Sequence, residues 1–498
     1  MKTKLISRLI LTSLVTGAFL LTPACVTERS PVTGQKKAYG FSWEQERQLG
    51  KQGDAEIIQQ YGLYDDPQVQ AYVQRVAEGV LQTSDLRDPD TPDMYRTPMT
   101  FRVLDSPIVN AFALPGGYVY VTRGLLSHVN NEAQLAVVLG HEIGHVAARH
   151  SARQALKAQV GQLGLMAGAI IGSQVFDNPE TAGQLLSLTG QAFQLLMMKY
   201  SRDDERQADD LGVRYAAHRG YDAAEGADFF DTLARLGQKD GVVLPSWMST
   251  HPDPGDRRRT VTQLARQYER PLAAKVDGQD ELYRHLDGLV VGNDPREGFV
   301  EGNAFYHPKL RFQFPVPSGW KVKNEKAYVL MAAPDQKAMI IFEIAPAKTA
   351  REAAARMSQT QGLRVVQTAP QRVNGLNAVV VHAEANSQQG TVGLLNYFIE
   401  YNRRVYSFMG VTPAAQLNQH NRQFQSVMSR FDRLDDPRKL NVQPARLAIL
   451  SAPRSAPFAS FVPTGSTRSG LTAEELAVLN QVHLNETIPA GARLKILR

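Results

Sequence analysis

Five residues constrain this chain more than any other feature: His141-Glu142-Ile143-Gly144-His145. On a helix, residues four apart share a face. Both imidazoles can then aim a nitrogen at one ion, while Glu142 sits beside it, near metal-bound water. Leu135, Leu139, Ile143 and Val146 form another stripe that would anchor the helix in a core, and Asn130-Asn131-Glu132 supplies its start.

A catalytic zinc takes three protein ligands and keeps one position for water, so a third ligand must come from elsewhere in the chain. The single cysteine, Cys25, excludes a disulfide framework and Cys-based zinc knuckles, which leaves His and carboxylates as ligands. The segment Ser201-Arg202-Asp203-Asp204-Glu205-Arg206-Gln207-Ala208-Asp209 offers them. Glu205 is the expected ligand. Asp209, one helical turn on, can hydrogen-bond the far nitrogen of His141 and fix its tautomer. In isolation such carboxylates read as solvated surface charge; following a His-Glu helix, they read as a site.

Lys2, Lys4 and Arg8 precede an apolar run from Leu9 to Leu21 and then Thr22-Pro23-Ala24-Cys25, the layout of a secretory signal over residues 1–24. Ala24-Cys25 resembles a bacterial lipoprotein junction, so Cys25 is the expected lipidation site, although Thr22 stands where such junctions usually carry Leu. Val26 and Thr27 lack the Asp of inner-membrane retention, which points to a periplasm-facing anchor in the outer membrane. The net charge of +6 falls to +3 without the three leader cations, leaving 52 Lys and Arg against 49 Asp and Glu, no basis for nucleic-acid binding. Residues 25–40 read as a tether. Helical patterns begin at Ser42 and Asp66-Pro67, and β-like runs at Phe101 to Leu104 and Tyr118 to Val121 flank a Pro115-Gly116-Gly117 turn. Helices follow from about Asn131 to Leu236. The stretch Leu163 to Ile171 is too short to cross a bilayer and reads as a core helix or a membrane-facing flap.

Four ordered motifs carry a family resemblance: Asn110-Ala111 with Pro115-Gly116-Gly117; His141 to His145 with Arg149-His150; Ser201-Arg202 with Glu205, Ala208 and Asp209; and Thr250-His251-Pro252 with Arg257. The segment from about Ser42 to Gln267 resembles peptidase family M48, the zinc metallopeptidases related to HtpX, the CAAX prenyl proteases and the BepA-like periplasmic members. The resemblance implies a mostly helical gluzincin-type domain with a small β-sheet over residues 41–270, one Zn2+ per chain on His141, His145 and Glu205, Glu142 as general base, and peptide-bond hydrolysis. His251 reads as a surface residue, a transition-state donor, or a fourth ligand that keeps the enzyme latent, as its place in the BepA-like members suggests. Arg257 orders that loop, stabilises an oxyanion, or makes a structural ion pair. Arg149 and His150 read as ion-pair and packing residues. Asn110, Ala111 and Phe112 are the expected edge strand for an added substrate peptide, or merely a hairpin arm.

After residue 270 the texture changes to an α+β pattern. Residues 300–435, through Phe312-Gln313-Phe314-Pro315 and Gly319-Trp320, resemble the Mog-one/PsbP-like sandwich. Residues 440–498 resemble a degenerate LysM-like unit, with a plain structural cap as the alternative. The expected whole is an α+β, exported zinc endopeptidase acting on unfolded or misassembled envelope polypeptides, anchored to the membrane, with outer-membrane assembly machinery or peptidoglycan as partners. The rival is a zinc-binding, proteolytically latent chaperone, assembly factor or peptidoglycan-associated scaffold.

Overall fold

The computed structural model describes residues 25–165, 200–237, 247, 251, 254–268, 276–387, 390–462 and 471–498. The expected signal segment 1–24 lies outside them, as do residues 166–171 of the apolar stretch and the flanking Thr250 and Pro252. The architecture is α+β.

Strands β1 (Val26–Arg29) and β2 (Lys36–Tyr39) pair antiparallel, so residues 26–39 are not the tether that their polar composition suggests. The reason is a buried cation. Arg149 donates to Glu28 on β1, and its guanidinium lies 3.8 Å from the centroid of the Tyr39 ring. Helix α1 (Trp43–Tyr61) opens with a reciprocal cap between Ser42 and Gln45. Helix α2 (Pro67–Leu81) opens on Asp66, whose side chain accepts from the amides of Gln68 and Val69, with proline at its first position, where no amide is needed. Its buried stripe, Val69, Tyr72, Val73, Val76 and Val80, is the one that helical periodicity predicts.

A three-stranded sheet follows, built from β3 (Thr100–Leu104), β4 (Ala111–Leu114) and β5 (Tyr118–Thr122) in the order β3-β5-β4, with β3 parallel and β4 antiparallel to β5. Gly116 and Gly117 make the β4–β5 turn at φ of +76° and +98°, and a Cβ on Gly116 would come within 2.4 Å of the Arg47 backbone. Helix α3 (Arg123–His128) leads to α4 (Glu132–Ala147), capped by Asn131 and buried at every position. A chain turn at Arg149, φ +56°, starts α5 (His150–Leu165).

Helix α6 (Arg202–Arg219), capped by Ser201 and Asp204 and closed by Gly220, lies against α4. Glycines let the two backbones meet: a Cβ on Gly140 would lie 2.7 Å from Gly212 O, and one on Gly212 would lie 2.6 Å from His141 N. Helices α7 (Gly226–Gly237), α8 (Pro254–Gln267) and α9 (Gln279–Leu286) complete this layer.

Strands β6 (Phe299–Glu301), β7 (Ala304–His307), β8 (Phe312–Pro315), β9 (Lys321–Asn324), β10 (Tyr328–Ala332) and β11 (Met339–Ala345) precede helix α10 (Ala350–Ser358). Then come β12 (Leu363–Val373), β13 (Leu376–Ser387), β14 (Gly390–Tyr401), β15 (Arg404–Pro413), helix α11 (Leu417–Met428) and β16 (Asp432–Arg433). They form a seven-stranded antiparallel sheet, β12-β13-β14-β15-β11-β10-β9, and a four-stranded one, β16-β8-β7-β6. An aromatic core joins Phe305, Phe312 and Phe314 of the smaller sheet to Phe342 and Phe408 of the larger and Phe424 of α11. Alanines of α10 cover Val381, Leu394 and Phe398 of the larger sheet in a separate cluster.

At the C-terminus, β17 (Leu447–Ser451) pairs with β20 (Arg493–Leu497), β18 (Ala456–Pro457) with β19 (Thr487–Ile488), and α12 (Ala473–Leu479) lies between. This unit shares the first core: Leu447 and Leu479 belong to the apolar cluster that contains Leu135 and Leu139 of α4. Lys495 Nζ, fully buried, donates to the carbonyls of Ser127 and Val129 at 2.6 and 3.1 Å, at the C-terminal end of α3.

Candidate metal centre

Helix α4 presents His141 and His145 on one face, and the glycine contact with α6 brings Glu205 opposite them. Their atoms converge: His145 Nε2 is 3.0 Å from His141 Nε2 and 3.5 Å from Glu205 Oε1. A fourth group joins from the far side. His251 Nδ1 lies 3.3 Å from His141 Nε2 and 2.9 Å from Glu205 Oε1. All four residues are buried, and one donor atom from each lies within 4.8 Å of the rest. A tetrahedral ion with bonds of about 2.0–2.1 Å spaces its ligand atoms about 3.3 Å apart, and a nitrogen-rich set with one carboxylate and no sulfur suits zinc.

The surroundings fit a cation. Asp209 Oδ1 lies 2.9 Å from His141 Nδ1, so the proton of that ring faces the carboxylate and the opposite nitrogen, Nε2, is bare toward the site. Arg257 grips both oxygens of Asp209, through Nε at 2.9 Å and Nη2 at 2.5 Å, and its Nη1 is 3.4 Å from Glu205. Of the roles read from sequence for Arg257, the contact made here is the ion pair. Burial opposes ionisation of Asp209, but Arg257 and His141 outweigh it and hold the carboxyl down at about 2. Burial, then Arg257, lowers His141 to about 4, and burial takes His145 well below its ordinary value. Both rings are therefore neutral, as ligands must be.

Glu142 is fully buried, and among the described residues neither carboxylate oxygen has a hydrogen-bond partner. Burial pushes its carboxyl up to about 7, with His251 and Arg257 restraining it. His251 Nε2 stands 3.7 Å from Glu142 Oε1. Burial alone would lower His251, but Glu205 and Glu142 outweigh it and leave its pKa raised.

Two aromatic rings wall the group. Trp247 stacks on His251 with centroids 4.4 Å apart, and its carbonyl accepts from the His251 amide at 2.7 Å. Tyr200 lies over His145 at 4.0 Å, its hydroxyl 3.1 Å from Ser151 Oγ. Strand β4 is the sheet edge beside α4, yet the crevice next to His145 is lined by Ala113, Leu114 and Pro115 rather than by Asn110, Ala111 and Phe112. Asn110 is tied to β5 through Thr122, and Phe112 packs with Ile57, Leu104 and Tyr120. Cys25 is exposed, one residue ahead of β1 and outside the four-residue group.

Sequence reasoning gave no site role to Gln207, Tyr200 or Trp247, and read His150 as a packing or ion-pair residue only. His150 Nδ1 lies 2.9 Å from His145 Nδ1, and His150 Nε2 is 3.1 Å from Gln207 Oε1. The available signal was a histidine five residues after a ligand, with Gln207 inside the acidic helix.

Residues 67–265 match peptidase family M48. Among curated relatives, the mitochondrial metalloendopeptidase OMA1 of Arabidopsis thaliana is 34% identical over 198 residues, covering 40% of this chain and 36% of that protein. The mitochondrial metalloendopeptidase OMA1 of Danio rerio is 30% identical over 244 residues, 48% of this chain and 50% of that one. The beta-barrel assembly-enhancing protease of Escherichia coli (strain K12) is 26% identical over 258 residues, 51% and 50% respectively. The chain spans half or less of the length of these relatives. Among solved structures, the cyanobacterial PsbP of Synechocystis sp. PCC 6803 is 15% identical with a TM-score of 0.24, covering 27% of this chain and 96% of its own.

Proposed function

We propose that this chain, which carries a peptidase family M48 domain over residues 67–265, is an exported zinc endopeptidase that hydrolyses peptide bonds in unfolded or misassembled envelope proteins. The observation that carries this is the convergence of His141, His145, Glu205 and His251 around one point, with a buried Glu142 beside it. Bound zinc supplies Lewis acidity toward the scissile carbonyl and the attacking water. His141, His145 and Glu205 hold it, and Asp209, clamped by Arg257, keeps His141 in the ligating tautomer. Glu142 takes the proton of the water that adds to the carbonyl carbon and returns it to the nitrogen as the C–N bond breaks. A carboxyl held near 7 by burial suits both directions of that transfer. The substrate chain lies along the edge of β4, beside Ala113 and Leu114.

His251, once deprotonated, would complete a four-ligand set on a bound ion and leave no position for water. In our reading the enzyme rests latent and works when His251 withdraws. The experiment is zinc analysis and casein hydrolysis on the purified chain. One zinc per chain is expected, retained in Glu142→Gln with turnover lowered about 10²–10⁴-fold, and His251→Ala should cleave faster than wild type. A chain without zinc, or a Glu142→Gln variant as active as wild type, rejects the assignment.

The remaining setting belongs to the same reading: lipidation at Cys25, a periplasmic face of the outer membrane, and contact with barrel-assembly machinery, on the strength of the leader and of the relatives' names. No helix among the described residues is long and apolar enough to cross a membrane. The Mog-one/PsbP-like domain at 300–435 and the LysM-like unit at 440–498 serve recruitment and scaffolding in this reading, the latter with peptidoglycan as a candidate partner. Labelled palmitate incorporated by wild type and lost in Cys25→Ser tests the anchor.

A further inference from the structure

Each ligating imidazole needs a partner for its second nitrogen, and the two histidines of α4 find different ones. His141 faces an ionised carboxylate, Asp209. His145 faces another imidazole: its Nδ1 lies 2.9 Å from Nδ1 of His150, whose ring is fully buried. One of those nitrogens must donate and the other accept, and the groups behind His150 decide which.

His150 Nε2 is 3.1 Å from Gln207 Oε1 and 3.6 Å from Asp204 Oδ1. The same Gln207 oxygen lies 3.4 Å from Arg153 Nη1, and Arg153 Nη2 lies 3.4 Å from Asp204 Oδ1. Arginine only donates, so both atoms that face His150 Nε2 are acceptors. The His150 proton therefore sits on Nε2, its Nδ1 is a bare acceptor, and the proton of His145 is drawn to Nδ1. The nitrogen of His145 that faces the site is left with a free lone pair.

We propose that His150, held by Gln207 and Asp204, is the positioning residue that fixes the tautomer and aim of His145. The backbone is shaped for it. Helix α4 ends before Arg149, which turns through φ +56°, and that turn swings the first residue of α5 back over the ring of His145. Removing such an outer partner costs 10–100-fold in metal affinity.

The proposal rests on zinc binding at the His141 site, and its test separates acceptor from packing. In His150→Asn, Oδ1 stands where the imidazole Nδ1 stood, so the acceptor stays while the ring is lost. In His150→Phe the ring stays while the acceptor is lost. Zinc affinity of the purified full chain is measured by competition with a chromophoric chelator, and metal-free melting temperatures establish that each variant folds. Near wild-type affinity is expected for His150→Asn, and affinity weaker by about 10–100-fold for His150→Phe. Affinity in His150→Phe equal to wild type, or in His150→Asn as weak as in His150→Phe, overturns the proposal. If His150→Phe fails to fold, Gln207→Leu takes its place: weaker zinc binding supports the relay and unchanged binding overturns it. A wild-type chain that binds no zinc would instead end the metallopeptidase reading itself.

Discussion

Arg149→Met removes a cation whose side chain is fully buried and whose donors all face inward. Nε reaches Glu46 at 2.6 Å, Nη2 the Phe41 carbonyl at 2.8 Å, and Nη1 Glu28 and the hydroxyl of Tyr95. Methionine fills part of the space and leaves Glu46, only 1% exposed, without its cation and still near Glu28. Breaking a buried pair from one side costs about 3–5 kcal/mol, or roughly 10 °C in melting temperature for a domain of this size. The sign with pH follows from Glu46. Burial raises its carboxyl to about 7, with Arg149 pulling the other way. A carboxyl raised on folding lowers stability as pH climbs from its unfolded value toward its folded one. Without Arg149 the folded value climbs further, so the penalty extends to higher pH. The gap between variant and wild type is therefore smallest near pH 5, where both folded forms carry Glu46 protonated, and widens through pH 8. Thermal denaturation of the metal-free chain at the two pH values measures it, and Arg149→Met with Glu46→Gln should recover most of the loss. A destabilisation below about 1 kcal/mol, or a gap as wide at pH 5 as at pH 8, would show that the pair does not organise this corner.

Gly212→Ala puts a Cβ 2.6 Å from His141 N, where only backbone can yield, so α6 must shift and carry Glu205 with it. Overpacking costs about 1–3 kcal/mol, and zinc affinity measured by chelator competition should drop at least about tenfold; wild-type affinity would contradict the close-contact argument. Because burial, then Arg257, holds His141 at about 4 and burial holds His145 well below its ordinary value, protons do not compete for these rings at pH 6. In His251→Ala, which lacks the one ring whose pKa is raised, zinc retained on dialysis should stay level down to pH 5 and fall only as pH nears 4; loss already at pH 6 would refute it. Leu479→Ala, at 1% exposure in the cluster shared with α4, should cost about 2–5 kcal/mol and lower the temperature of zinc release. Zinc release unchanged in that variant would mean that the C-terminal unit melts apart from the site.

What was legible in the sequence is what local periodicity encodes. His141 and His145 share a face because they are four apart, and Glu205 and Asp209 share another for the same reason, so one rule placed four of the side chains now seen together. The capping residue Asn131 lies in the stretch read as the start of the ligand helix. The strands of the second α+β region were readable where side chains alternate, as at Phe312 to Pro315, and not at β12, where eleven residues are mostly exposed and no inward stripe forms. His150 was read as a packing or ion-pair residue, and its contact with His145 escaped because a residue five along does not share a helix face. Its place depends on a non-glycine turn at Arg149, which no propensity marks.

The deeper omission was distance. Nothing in the neighbourhood of Lys495 says that it closes the C-terminal end of α3, more than 360 positions earlier. Gln481 extends that contact, donating to the carbonyl of His128 and meeting Gln134 in the first turn of α4. The residues that end α3 and begin the ligand helix are thus held from the far end of the chain. A deletion of 440–498 would leave the carbonyls of His128, Ser127 and Val129 without these donors and remove Leu447 and Leu479 from the apolar cluster that the ligand helix shares. Loss of function on deletion would then follow even if the unit binds nothing. A recruiting role for this unit has to be sought with substitutions on its exposed surface, where the metal helix keeps its supports.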